Sequence, residues 1–239
     1  DDEGLDVAAL PAQLDAVYCT PAHQYPLGAR LSASRRLALV ERARAEGFLV
    51  IEDDYDGELR YDVAPLPLLA ALAPDVVAHL GTTSKVLTPT LGVGWIVAPP
   101  EIRAALLAAR GAGARPAEAG QRVFAAFAAH GDLARHLRRL RRILGERRAE
   151  TVAAIRTTGN PVRGDAAGGH VVVPLADAAR EAVVVSALAA RDVSAAALSP
   201  YHAPGRAAGH GIVVGYAGPD RADLRRALGA LRDVLAEEG

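Results

Sequence analysis

Methionine is absent from these 239 residues, cysteine occurs once, and lysine occurs once. Each scarcity excludes something. A single cysteine, Cys19, leaves no intramolecular disulfide framework and no multi-cysteine metal centre. No apolar run approaches the length of a membrane span, and the opening DDEGLDVAAL has nothing of a signal peptide. A cytoplasmic protein is therefore expected, with no membrane partner. The net charge of −1 gives the chain as a whole no electrostatic signature of nucleic-acid binding. With no methionine even at position 1, and acidic residues there that cap nothing obvious, the chain reads as a piece of a longer protein.

The lone lysine is Lys85; the other 26 of the 27 basic residues are arginine. Under so strong an arginine bias, a retained lysine points to a task arginine cannot perform. A guanidinium keeps its proton, whereas a lysine amine can lose it and attack a carbonyl. One survivor can also be chance, so its neighbours decide.

The first half alternates apolar strands with helical stretches. Ala16–Cys19 reads as a strand ending at Thr20-Pro21. A helix follows over 35–46, capped by Ser32 or Ser34, with Leu37, Leu39, Val40 and Ala43 inward and Gly47 as its stop. Residues 48–51 form an apolar strand expected to be buried on both faces, running into Glu52-Asp53-Asp54-Tyr55. Residues 76–80 form another, ending at Gly81-Thr82-Thr83-Ser84-Lys85, and 93–97 a third, closed by Pro99-Pro100. This pattern predicts an α/β fold with a largely parallel sheet.

Beyond Pro100 the sequence turns helical, over 101–110, 117–129 and 132–156. The last is amphipathic, with Leu133, Leu137, Leu140 and Leu144 along one face. Its arginines (135, 138, 139, 141, 142, 147 and 148) have no interleaved aromatics, which favours a solvated or salt-bridged face over a nucleic-acid stripe. The tail reads strand (170–175), helix (178–190), strand (193–198), strand (211–216) and helix (221–237). Two domains are expected, 1–130 and a smaller α/β domain over 131–239.

In doubly wound sheets functional groups collect where strands end. If the strands ending at Glu52–Tyr55 and at Thr82–Lys85 are parallel, an amine, a carboxylate, a phenol and hydroxyls open on one edge. Singly, Asp53 and Asp54 suit a helix cap or turn, and the hydroxyls suit turn chemistry. Together they suit a pyridoxal phosphate site: lysine for the carbonyl, carboxylate for the pyridine nitrogen, phenol near the ring oxygen, hydroxyls for the phosphate.

Four motifs, in order, then carry a resemblance. Thr20-Pro21-Ala22-His23-Gln24-Tyr25-Pro26-Leu27-Gly28 resembles the TPSHQFPTG stretch of MocR-type regulators of the GntR family. Residues 52–61 (EDDYDGELRY) resemble their EDDYDSEFRY motif, and 81–95 (GTTSKVLTPTLGVGW) their GTFSKxLxPxLRxGY motif. Residues 136–148 (HLRRLRRILGERR) resemble their HxRRMRxxYxxRR helix. The resemblance runs essentially end to end. It implies a partial fold-type I aminotransferase-like large domain followed by its small domain, and pyridoxal 5'-phosphate as cofactor. Lys85 would then carry the internal aldimine, Asp53 pair with the pyridine nitrogen and Tyr55 bond the ring oxygen. Thr82 would contact the phosphate, with Ser84 a second candidate.

The chain departs from the pattern in two places. Where the family has a phosphate-gripping arginine, seven residues after the lysine, this chain has Gly92. Stand-alone aminotransferases of this fold place a carboxylate-clamping arginine in the last strand; residues 212–216 here carry no charge, and Arg206 in the preceding loop is the substitute candidate.

The resemblance implies a sensor of an amine or amino acid, homodimeric, with at most partial transamination activity. Its DNA contact would lie in an N-terminal winged-helix domain that is absent from this chain. Two alternatives stay open: part of a stand-alone aminotransferase, or a degenerate dimerisation domain that no longer binds cofactor.

Overall fold

The structure, a computed structural model, describes residues 1–62, 66–111, 117–203 and 209–237. It divides into two compact units, residues 1–24 with 29–140, and residues 25–28 with 141–239.

The first unit holds a four-stranded sheet, β1 (Ala16–Cys19), β2 (Leu49–Asp54), β3 (Val77–Thr82) and β4 (Gly94–Val97), in that spatial order. β1, β2 and β3 run parallel, whereas β4 returns antiparallel to β3. The expected parallel character thus holds for three strands. The 11 residues between β3 and β4 hold only a 3-10 turn, with no α-helix to make the crossover that a parallel neighbour usually requires.

Helix α1 (Ala33–Glu46) connects β1 to β2 and ends at Gly47, which takes a left-handed φ of 79°. It buries Arg36, Leu39, Val40 and Ala43. That i, i+3, i+4, i+7 spacing is one helical face, and Leu37 lies off it, 55% exposed, against expectation. Arg36 takes the inward place because its guanidinium finds carbonyl acceptors on Leu31, Pro67 and Pro21.

The core gathers Val17, Leu39, Phe48, Val50, Leu69 and Val77, each contributing about 1.5–3 kcal/mol by leaving water. Strand β2 is not buried on both faces as expected: Val50 and Glu52 are buried, while Leu49 and Ile51 are only partly covered. All four β4 residues are exposed.

Helices α2 (Leu69–Leu72), α3 (Pro100–Arg110) and α4 (Glu118–Ala129) complete this unit with the first part of α5 (Asp132–Arg156).

The second unit holds an antiparallel sheet of β5 (His170–Leu175), β7 (His210–Gly215) and β6 (Ala196–Ala197), in that order, with helices α6 (Ala178–Ala189) and α7 (Arg221–Glu237). The strand expected over 193–198 is only two residues long. Asp192 adopts a left-handed φ of 55° and the Val193 amide bonds back to Leu188, which keeps the chain in a turn. Three of the α5 arginines are engaged within this unit: Arg142 pairs with Glu146, Arg147 bonds the Ala217 carbonyl and Arg148 the Gly164 carbonyl. Among the described residues no helix is long and apolar enough to cross a membrane.

Candidate functional site

Two neighbouring parallel strands end together. Asp53 of β2 lies opposite Leu80 of β3, and Asp54 opposite Gly81. The segment through Tyr55 and the turn carrying Lys85 therefore leave the sheet at one edge, as the strand-end clusters in the sequence require.

The Lys85 turn is anchored on both sides. Thr83 is fully buried, and both its amide and its Oγ1 donate to the Val93 carbonyl, at 3.0 and 2.9 Å. The Leu87 amide closes the turn on the Thr83 carbonyl at 2.8 Å. From α5, His136 Nε2 donates to the Val86 carbonyl at 2.6 Å. The backbone is thus held around Lys85 while its side chain stays exposed.

Asp53 accepts a hydrogen bond from the Tyr18 hydroxyl on β1. That bond, with smaller contributions from burial and the carboxylate charge, raises the Tyr18 phenol to about 12. Asp54 behaves differently. Burial raises its carboxyl to about 6, although Oδ1 accepts from the Gly57 amide at 3.1 Å. Glu52 is buried beneath them. Burial alone would raise its carboxyl, but His79, 3.6 Å away, and the amides of Leu69 and Ala70 hold it below the ordinary value. Burial pushes the Cys19 thiol up to about 12, so it is not a nucleophile at neutral pH.

The Tyr55 hydroxyl lies 3.2 Å from His23 Nδ1, which also meets Asp56 Oδ2 at 2.8 Å. Thr82 Oγ1 accepts from the Ser84 amide and donates to Ser84 Oγ at 3.0 Å. The Ser84 hydroxyl thus keeps a proton to donate outward, and Thr82 can donate to a phosphate by exchanging its bond to Ser84. Gly92 ends a short 3-10 turn (Pro89–Leu91) with a left-handed φ of 62°, where glycine is favoured over any side chain. This local geometry accounts for the glycine, and an arginine clamp is not supplied there. Arg206 lies outside the described residues.

A cavity of about 710 Å³ lies beside this edge, lined by Leu80, Gly81, Thr82, Trp95 and residues of α3 including Arg103. It touches Thr82 but not Lys85, so the chemistry is assigned from the strand ends and not from the cavity.

The donor set fits pyridoxal phosphate: an exposed amine on a fixed turn, a carboxylate on the next strand, a phenol and two hydroxyls. Three contributors were not legible as such in the sequence. Tyr18 reads only as a strand residue, though a phenol on a strand next to Asp53 is the available signal. His23 and His136 sit in recognisable motifs, but their hydrogen bonds cross 33 and 50 residues.

Known proteins resemble the chain at two levels. The family description "Aminotransferase class I and II" matches residues 1–231. The HTH-type pyridoxine biosynthesis transcriptional regulator PdxR of Corynebacterium glutamicum is 40% identical over 237 residues, covering 99% of this chain and 52% of PdxR. The HTH-type transcriptional regulator TauR of Rhodobacter capsulatus is 37% identical over 171 residues, covering 71% of this chain and 35% of TauR. The chain thus spans about half, or less, of the length of these relatives. In structure, Pyrococcus horikoshii kynurenine aminotransferase superposes with a TM-score of 0.84 at 26% identity, covering 95% of this chain and 57% of that one.

Proposed function

This chain belongs to the class I and II aminotransferase family, and from that premise we propose that it is the pyridoxal phosphate-binding effector module of a MocR-type transcriptional regulator. The observation that carries the reading is the shared edge, with Lys85 on the turn after β3 and Asp53 at the end of the parallel strand β2.

Pyridoxal phosphate, when bound, supplies a carbonyl to which amines add and a ring that draws electron density from them. Lys85 would hold it through its amine. Asp53 would face the ring nitrogen and Tyr55 the ring oxygen, and Thr82 and Ser84 would receive the phosphate. A sensor needs this binding and exchange but no complete turnover, so it tolerates a last strand, β7, with no arginine. The 40% identity to a regulator along nearly the whole chain supports that reading over a stand-alone enzyme. The effector is an amine or amino acid; the module acts as a homodimer and reaches DNA through a winged-helix domain outside these residues.

The test uses the protein that contains this chain. Pyridoxal phosphate should produce an absorbance band near the visible that borohydride fixes onto Lys85. Absence of the band, or its survival in Lys85→Ala, overturns the reading. Conversion of an amino acid to its keto acid at a catalytic rate would assign the chain to an enzyme instead.

A further inference from the structure

We propose that Arg103 and Arg110, on one face of α3, supply the positive charge for a ligand phosphate that Gly92 does not, at the cavity they line. That the phosphate belongs to pyridoxal phosphate rests on the reading above; the anion subsite itself does not.

Helix α3 buries none of its residues. Arg103, Leu106, Leu107 and Arg110 follow the i, i+3, i+4, i+7 spacing of a single helical face. All four line the cavity of about 710 Å³ beside the sheet edge. The opposite wall includes the end of β3 and the start of β4, where Thr82 stands across from Gly94. Glycine there brings no side chain into the space before the Thr82 hydroxyl. Small-molecule sites are commonly about 300–1,000 Å³, with apolar walls and a few polar groups. This cavity has that composition: Leu80, Trp95 and Ile96 face the leucines of α3, and its ionic and hydroxyl groups are Thr82 and the two guanidiniums.

Several arginines of this unit are neutralised locally. Arg35 pairs with Asp1, Arg44 with Asp75 and Arg122 with Glu118, and Arg36 bonds three carbonyls. Among the described residues neither Arg103 nor Arg110 has a carboxylate or carbonyl acceptor for its guanidinium, and no carboxylate lines the cavity. Two cations thus flank an apolar space that holds no counter-charge. An anionic ligand group supplies one.

The position of the cavity identifies that group. It touches Thr82 but not Lys85, Asp53 or Tyr55. It therefore lies at the phosphate end of the proposed site, away from the carbonyl, the ring nitrogen and the ring oxygen. A phosphate monoester carries a charge of about −1.5 to −2 at neutral pH, and a guanidinium can grip two of its oxygens at once. Arg103 and Arg110 are assigned to binding and take no part in the chemistry at Lys85.

The test uses the protein that contains this chain and compares pyridoxal phosphate, pyridoxal and phenyl phosphate, the last an aromatic monoester with no aldehyde. Calorimetric titration should show both phosphates binding the wild type. In the double variant Arg103→Ala, Arg110→Ala, affinity for both should fall at least about 10-fold, the worth of a charge-assisted hydrogen bond. Pyridoxal, which has no phosphate, should stay within about 2-fold. Lysine at both positions keeps the charge but not the fork, and should restore phosphate affinity to within about 3-fold of the wild type. Both side chains are exposed, so the fold should tolerate these substitutions.

Equal losses for pyridoxal phosphate and pyridoxal overturn the proposal, because a structural disturbance does not distinguish ligands by their phosphate. Unchanged phosphate affinity in the double alanine variant also overturns it, as does a wild type that binds neither phosphate. If phenyl phosphate binds through the arginines while pyridoxal phosphate gives no band at Lys85, the cofactor reading fails and the anion subsite stands.

Discussion

The phenol of Tyr18 on β1 donates its hydrogen bond to the carboxylate of Asp53 on the neighbouring strand β2. The contact joins the acid proposed to face a cofactor nitrogen to a side chain that no motif would single out. It orients Asp53 from the side, while Lys85 is held from below by Thr83 and by His136.

Tyr18→Phe should remove a phenolic titration near 12, since it is chiefly the Asp53 bond that lifts this phenol there. Ultraviolet difference spectra read that directly. Pyridoxal phosphate affinity should fall only about 3-fold, because Tyr18 is exposed and water can replace part of the bond.

Asp54 should make the fold less stable as pH rises. Its carboxyl titrates at about 6 in the folded chain against 3.8 in the reference state, mainly through burial. The folded state therefore binds the extra proton between these values. The stability that the neutral acid provides is present below about 4 and is lost as pH rises through about 6. Urea unfolding from pH 4 to 7 should show a decline on the order of 2 kcal/mol that Asp54→Asn abolishes, leaving the variant more stable than the wild type at pH 7. An unchanged profile in the variant would count against it.

Gly81→Ala should displace the only tryptophan. A Cβ at Gly81 would come within 2.1 Å of the Trp95 ring, which stacks on Phe124 with centroids 5.7 Å apart. Trp95 is 39% exposed, so the ring can move outward and the cost should be near the low end for overpacking, about 1 kcal/mol. Tryptophan emission should shift to the red; an unshifted spectrum would show that the ring holds its place.

Glu181→Ala should loosen the second unit. This buried carboxylate on α6 accepts from the amides of Leu198, Ser199 and Gly211 and from the Ser199 hydroxyl. Removing it strands three backbone amides, a loss of about 3 kcal/mol. Hydrogen exchange should then quicken at those three amides first; uniform acceleration across the chain would point to global unfolding instead.

The shared sheet edge was legible in the sequence, because a strand that stops in polar residues marks such an edge: Asp53, Tyr55, Thr82, Ser84 and Lys85 stand where the parallel strands β2 and β3 end. Leu37 and residues 48–51 misled for a shared reason. Hydropathy says that a side chain prefers burial, not whether a neighbouring element is there to cover it. Arg36 shows the converse: three carbonyls, two from the connection between β1 and α1 and one from Pro67, make an inward guanidinium tolerable.

The chain alone determined the alternation of strand and helix, the left-handed stop at Gly47 and the chemical inventory at the two strand ends. These depend on local periodicity and on backbone sterics within a few residues. Only the tertiary structure decided that β4 runs antiparallel, that Tyr18 faces Asp53, and that His23 stands between Asp56 and Tyr55. Those are meetings of residues some 30 positions apart or of strands in register. Hydrogen bonds of this kind depend on distance and direction in space, which separation along the chain does not encode.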